Sequence, residues 1–149
     1  MKKTIIFCML LILASTTACF HEKDSKIQSI TYDEFFTKIW DAEKHPDTFV
    51  FEGHTAVIVD FYASWCGPCQ KLFPILEKLA NEYEGDLIVY KANKETEEKL
   101  AAAFKVQGLP ALLLIPKDGH PLRMYNGLPS EEELRTIIEE QLLDKPKQQ

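Results

Sequence analysis

Residues 55–63, "TAVIVDFYA", run directly into "SWCGPCQKLFP" at residues 64–74. The first stretch is apolar almost throughout and rich in β-branched and aromatic residues, the pattern of a strand buried on both faces. Such a strand needs a covering layer above and below, so the chain is expected to place helices on both sides of a sheet. One covering element follows at once: Leu72, Ile75, Leu76, Leu79 and Tyr83 recur at helical spacing, and Gly85 supplies a stop. A single charge, Asp60, stands inside the strand, where burial is costly without a partner or a task. Cys66 and Cys69 mark the junction between strand and helix.

The same reading extends along the chain. "SITYDEFFTKIWDAEKH" opens with a capping box, Thr31 with Glu34, and a hydrophobic staple between Ile30 and Phe35. Phe35, Phe36, Ile39 and Trp40 share one helical face, and Pro46 is expected to end that helix. "DLIVYKAN" predicts a second core strand, and "TEEKLAAAF" a short helix with Leu100, Ala103 and Phe104 facing inward. "ALLLI" and "PLRMY", joined by a turn at Asp118-Gly119, predict an antiparallel hairpin. Ser130 with Glu133 caps a last helix whose Leu134, Ile137, Ile138 and Leu142 form the buried stripe. The expected order is helix, strand, helix, strand, helix, strand, strand, helix, with no internal repeat and no second domain.

The amino-terminal segment has a different character. Lys2 and Lys3 precede the uncharged "TIIFCMLLILASTTA", whose dense apolar part, Ile5 to Ala14, is short for a bilayer span but suits an export signal over residues 1–18. "TTAC" at 16–19 resembles the lipobox of bacterial lipoproteins, in which the cysteine is lipidated and becomes the new amino terminus. That pattern usually has an aliphatic residue where Thr16 stands, so ordinary cleavage near Ala18 is the alternative. The polar "HEKDSKIQS" reads as a tether, giving a tether over 19–29, a folded domain over 30–145 and a tail over 146–149. Losing the first 18 residues removes two of the 17 basic residues and none of the 23 acidic ones, taking the formal charge from −6 to −8. An acidic surface argues against nucleic-acid binding and against an electrostatic membrane patch. With 46% hydrophobic and 27% charged residues, the 149-residue chain has the composition of one globular domain.

Cys8 leaves with the signal and Cys19 carries the lipid in this reading, so Cys66 and Cys69 are the only thiols of the folded body. A zinc site needs a second pair of ligands, and His54 and His120 have no companion at ligand spacing. A structural staple closing so short a loop gains little. Redox activity fits better, because a helix amino terminus stabilises a thiolate and brings a cysteine pKa from about 8.5 toward 7 or below.

"VDFYASWCGPCQKLFPILEKLANEYEGDLIVYKAN" resembles the thioredoxin family, and the likeness continues through "VQGLPALLLIPKDG" and "YNGLPSEEEL", covering roughly residues 55–143. It implies an α/β thioredoxin fold, a mixed central sheet of four to five strands flanked by helices on both faces. It implies Cys66 as the exposed nucleophile, Cys69 as the buried resolving thiol, Asp60 as the buried acid/base that serves Cys69, and Lys91 as the partner of Asp60. Pro110 matches the family's cis-proline, preceded by Leu109, and Trp65, Gly67, Pro68 and Gly127 match residues of the substrate groove. Ala111 departs from the usual Thr, and Pro74 matches a helix-kinking proline. Neither a cofactor nor a metal is implied.

The longer stretch over 41–54, an edge strand and loop in this reading, resembles secreted bacterial thioredoxins more than cytosolic ones. The expected function is thus reduction of protein disulfides in the periplasm, with a membrane-embedded thiol transporter as electron donor. Gly67-Pro68 matches reducing thioredoxins, whereas oxidising relatives carry Pro-His and isomerase domains Gly-His. An oxidase or isomerase, or a non-enzymatic binding module, is the competing reading. Relatives dedicated to cytochrome maturation usually carry an insertion after the Cys-x-x-Cys helix, and none is visible at Gly85-Asp86.

Overall fold

The computed structural model describes residues 25–41, 43–45, 48–120 and 122–144, so Cys19, the export signal and most of the tether lie outside the described residues. Five strands form one sheet in the order β1-β3-β2-β4-β5: β1 (Ile27–Ser29), β2 (Ala56–Tyr62), β3 (Leu87–Asn93), β4 (Ala111–Ile115) and β5 (Arg123–Asn126). β1 and β2 lie parallel to β3, while β4 runs antiparallel to both β2 and β5. The apolar run at 55–63 thus supplies β2, the central strand, whose residues Ala56 to Phe61 are all buried.

Alternation along the strands divides the interior into two cores. Ile58, Leu112 and Val89 face Leu72, Leu76 and Leu79 of α2 (Gly67–Glu82), together with Leu134 of α4 (Glu131–Ile137). Val57, Val59, Phe61 and Leu113 face the other way, toward Phe35 of α1 (Tyr32–Lys38) and Leu100 of α3 (Glu98–Ala103). Each fully buried Leu or Phe contributes about 2–3 kcal/mol relative to exposure. The second core has an aromatic centre, with the rings of Phe35 and Phe104 packed edge to face at 5.1 Å.

Three expectations are corrected. Residues 27–29, read as the end of a tether, form β1: they pair in register with Val89 to Lys91, so the folded domain begins before residue 30. Ser25 and Lys26 are fastened too, each hydrogen-bonded to the Glu77 carboxylate. The α1 helix, whose capping box is present, stops at Lys38 and not near Pro46. The Ile39 carbonyl accepts the N–H of Glu52, and Trp40 bridges to Phe51, so the backbone groups that would continue the helix are engaged elsewhere. The stretch 41–54 forms no named strand among the described residues, only that single bridge. The final helix keeps its buried stripe but widens into a π-helical turn over Ile138–Leu142, closed by the Leu143 N–H bonding to the Ile138 carbonyl at 2.9 Å.

Candidate active site

β2 ends at Tyr62 and α2 begins at Gly67, so Cys66 is the N-cap of the helix. Its extended backbone (φ −79°, ψ 97°) aims the sulfur at the unsatisfied amides of the first turn, and Sγ accepts the Cys69 N–H at 3.2 Å. Pro68 sits where the helix has no hydrogen bond to lose. The two sulfurs are joined in a disulfide, and the cysteine Cα atoms lie 5.3 Å apart. The expected contrast in exposure is small in this oxidised state: Cys66 is 3% exposed and Cys69 0%. The bond turns both sulfurs toward each other, and Ala63 and Leu109 pack over them. Trp65 next to them is 72% exposed.

The loop before β4 supplies the opposite wall. The Leu109–Pro110 bond is cis, and the Pro110 carbonyl accepts the Gly127 N–H at 2.9 Å. Gly127 adopts φ +105°, a conformation that side-chain-bearing residues rarely adopt, although nothing lies within 4 Å of an added Cβ. The glycine is thus required by backbone conformation and not by crowding. Of the groove residues expected from the sequence, Leu109 packs on the disulfide, Pro110 follows it across the cis bond, Gly127 bonds to Pro110, and Trp65 precedes Cys66 in the chain.

Asp60 lies on the α2 face of the sheet, two residues beyond Ile58 and beside Leu112 of β4. It is 0% exposed, and neither carboxylate oxygen has a hydrogen-bond partner among the described residues. Burial raises its pKa to about 7, because the charged form loses its hydration without compensation. Lys91 is its cross-strand neighbour in register, yet no ion pair joins them. The ammonium lies 6.0 Å from the centre of the Phe73 ring and lines a cavity of about 290 Å³ with Ser25, Ile27, Pro74 and Glu77. An ammonium that stays partly hydrated there avoids the desolvation that pairing with a fully buried carboxylate entails.

Two features were not anticipated from the sequence. The Glu95 carboxylate accepts both the Ser64 N–H at 3.2 Å and the Ser64 O–H at 2.9 Å, bracing the loop that carries Trp65. Those bonds, with a smaller contribution from the Trp65 side chain, hold the Glu95 carboxyl below the usual range. Leu128, directly after Gly127, is 43% exposed. An apolar residue beside a groove glycine is a readable signal, whereas a bond across 31 residues is not. Among the described residues no group of His, Cys, Asp and Glu could hold a metal ion, and no helix is long and apolar enough to cross a membrane.

A dithiol pair capping a helix on a buried strand, opposed by a cis-proline, defines a thiol-disulfide exchange domain. The chain belongs to the thioredoxin family, whose model matches residues 37–140. A thioredoxin of Borreliella burgdorferi is 39% identical over 112 residues, covering 75% of this chain and 94% of that protein. One of Staphylococcus saprophyticus is 39% identical over 85 residues, covering 57% of this chain and 81% of the relative. Among solved structures, a mutant thioredoxin from Halobacterium salinarum superposes with a TM-score of 0.62 at 31% identity, covering 80% of this chain and 94% of that one. Chloroplastic thioredoxin z superposes at 0.61 and 28% identity, covering 75% and 90%. The protein is therefore a thiol-disulfide oxidoreductase of the thioredoxin fold, acting on protein disulfides through Cys66 and Cys69.

Proposed function

We propose that this protein reduces client disulfides outside the cytoplasm, with Cys66 attacking and Cys69 resolving. The observation that carries the reading is the asymmetry at the start of α2. Cys66 is the N-cap, its sulfur accepting an amide hydrogen bond, while Cys69 is one turn in and fully buried, on the side of the sheet that also holds unpaired Asp60. In the reduced protein the Cys66 thiolate attacks one sulfur of the client disulfide, and the other client sulfur leaves as a thiolate and takes a proton. Cys69, deprotonated by Asp60, then attacks the Cys66 sulfur of the mixed disulfide and expels the second client thiol. Two electrons and two protons have passed to the client, and Cys66–Cys69 is again a disulfide. Gly67-Pro68 supports the reducing direction, for which thioredoxins have potentials of about −270 mV. Leu109, before the cis bond, supplies backbone for an extended client segment, and Trp65, Pro68 and Gly127 border it.

Trapping tests this assignment. Cys69→Ser expressed in its own compartment accumulates client adducts that disappear on reducing gels, and Cys66→Ser accumulates almost none. Equal trapping by both variants, or by neither, would show that the order is wrong.

The placement outside the cytoplasm rests on the basic start, the apolar run and Cys19 after a small residue. A lipid at Cys19 anchors the domain, and a membrane thiol transporter returns two electrons and two protons to the Cys66–Cys69 disulfide after each turnover. Wild-type protein made in a bacterium is expected to incorporate labelled palmitate and sediment with membranes, and Cys19→Ala to do neither. Equal labelling of the two would remove the anchor from the account.

A further inference from the structure

Between the disulfide and α3 lies a cavity of about 450 Å³ whose lining divides by chemistry. Ala63, Trp65 and Leu109 give it apolar walls, and Glu95 and Glu98 give it two carboxylates. Ala63 and Leu109 are also the residues packed on Cys66 and Cys69, so whatever enters the cavity lies beside the reacting sulfurs. Trp65, 72% exposed, leaves most of its surface uncovered at the cavity's edge.

The charged groups of this cavity are unequally engaged. Glu95 is occupied by Ser64, as described above. Lys94, the one cation in the lining, donates to the Val106 carbonyl at 3.0 Å. The Glu98 carboxylate is exposed and has neither a hydrogen bond nor an ion pair among the described residues. The cavity thus combines apolar walls with an unspent negative charge at its rim.

We infer that this cavity takes a lysine or arginine side chain next to the client cysteine, with its aliphatic stem against Trp65 and Leu109 and its cation at Glu98. Lysine and arginine are the side chains that bury a stem while keeping a charged head in water. The indole face adds a cation–π attraction. An acidic neighbour in the client meets two carboxylates of its own sign, and an apolar neighbour dehydrates Glu98 with no compensation. The preference is for clients with a basic residue beside their disulfide, and it rests on the reductase reading above.

The test uses three synthetic peptide disulfides identical but for one residue beside the cysteine: Lys, Ala or Glu. Rates of reduction by the dithiol form of the full-length protein are compared at low ionic strength. The Lys peptide is expected to react about three- to tenfold faster than the Ala peptide, the range that an exposed ion pair and a cation–π contact supply. The Glu peptide is expected to be slowest. In Glu98→Gln the Lys-to-Ala ratio falls toward one, and in Glu98→Lys the Glu peptide overtakes the Lys peptide. Glu84→Gln, the same change of charge just past the far end of α2, keeps the wild-type ratio. Salt at about 0.5 M narrows the ratio, because screening there acts within a few ångströms. Equal rates for the three peptides, or a ratio that Glu98→Lys does not move, would overturn the inference and leave the reductase intact. Failure to reduce any peptide would instead count against the reductase reading.

Discussion

At the carboxyl end of α2 Glu82 is paired with Arg135, whereas beneath its amino end the Asp60 carboxylate has no partner among the described residues. Arg135 forms a bidentate pair with Glu82 and also donates to the Tyr83 hydroxyl, which in turn donates to Glu139 at 2.6 Å. That network is half in water, with the Arg135 and Glu82 side chains 28% and 43% exposed. Asp60 is fully buried with both oxygens unpaired. Exposed ion pairs gain little and cost little, so the first arrangement fixes α2 on α4 without large energetic stakes. The second lowers stability, and its return is sought in the chemistry of the cysteines that α2 begins with.

Removing the Asp60 charge breaks this contrast most strongly. Its folded pKa of about 7 lies above the unfolded value, so the folded chain holds a proton that the unfolded chain has released between about pH 4 and pH 7. Stability relative to an uncharged residue is therefore intact below about pH 4, is lost as pH rises through 7, and is then constant. Oxidised Asp60→Asn is expected to be more stable than wild type by up to about 4 kcal/mol at pH 8, and close to equal at pH 4. Denaturant titrations at both values check this. The same variant is expected to resolve mixed disulfides at least about tenfold more slowly near neutral pH. A gain in stability without a loss of rate would make Asp60 a structural residue only.

Arg135→Gln probes the carboxyl end of α2, with a smaller effect. It is expected to lower stability by about 1 kcal/mol or less. The loss should shrink further in high salt and leave insulin reduction unchanged. A loss of several kcal/mol would mean that the carboxyl end of α2 is as finely set as its amino end.

Much of this was legible in the sequence because the relevant signals are local. β2 showed itself by an apolar run broken only by Asp60, α2 and α4 by apolar spacing, and α1 and α4 by caps at Thr31 and Ser130 that the structure contains. β1 escaped because three residues with only Ile27 pointing inward carry no pattern. The end of α1 escaped because it is decided by Glu52, 13 residues past Ile39. In the site, residue types and their places were enough to single out Cys66, Cys69 and Asp60, while Pro110 came from the resemblance to the family. The resemblance implied Lys91 as the partner of Asp60; the two are cross-strand neighbours but do not pair, because a long side chain's final position depends on what hydration it keeps, which its place on the strand does not determine. The bracing of Ser64 by Glu95 joins two loops and left no trace in either one.

If this dithiol donates electrons to its clients, the potential of the Cys66–Cys69 pair shows it directly. Equilibration with glutathione buffers, read as the fraction of disulfide, is expected to give about −270 mV within some tens of millivolts. A value near about −120 mV would contradict it and make the protein an oxidant of its clients.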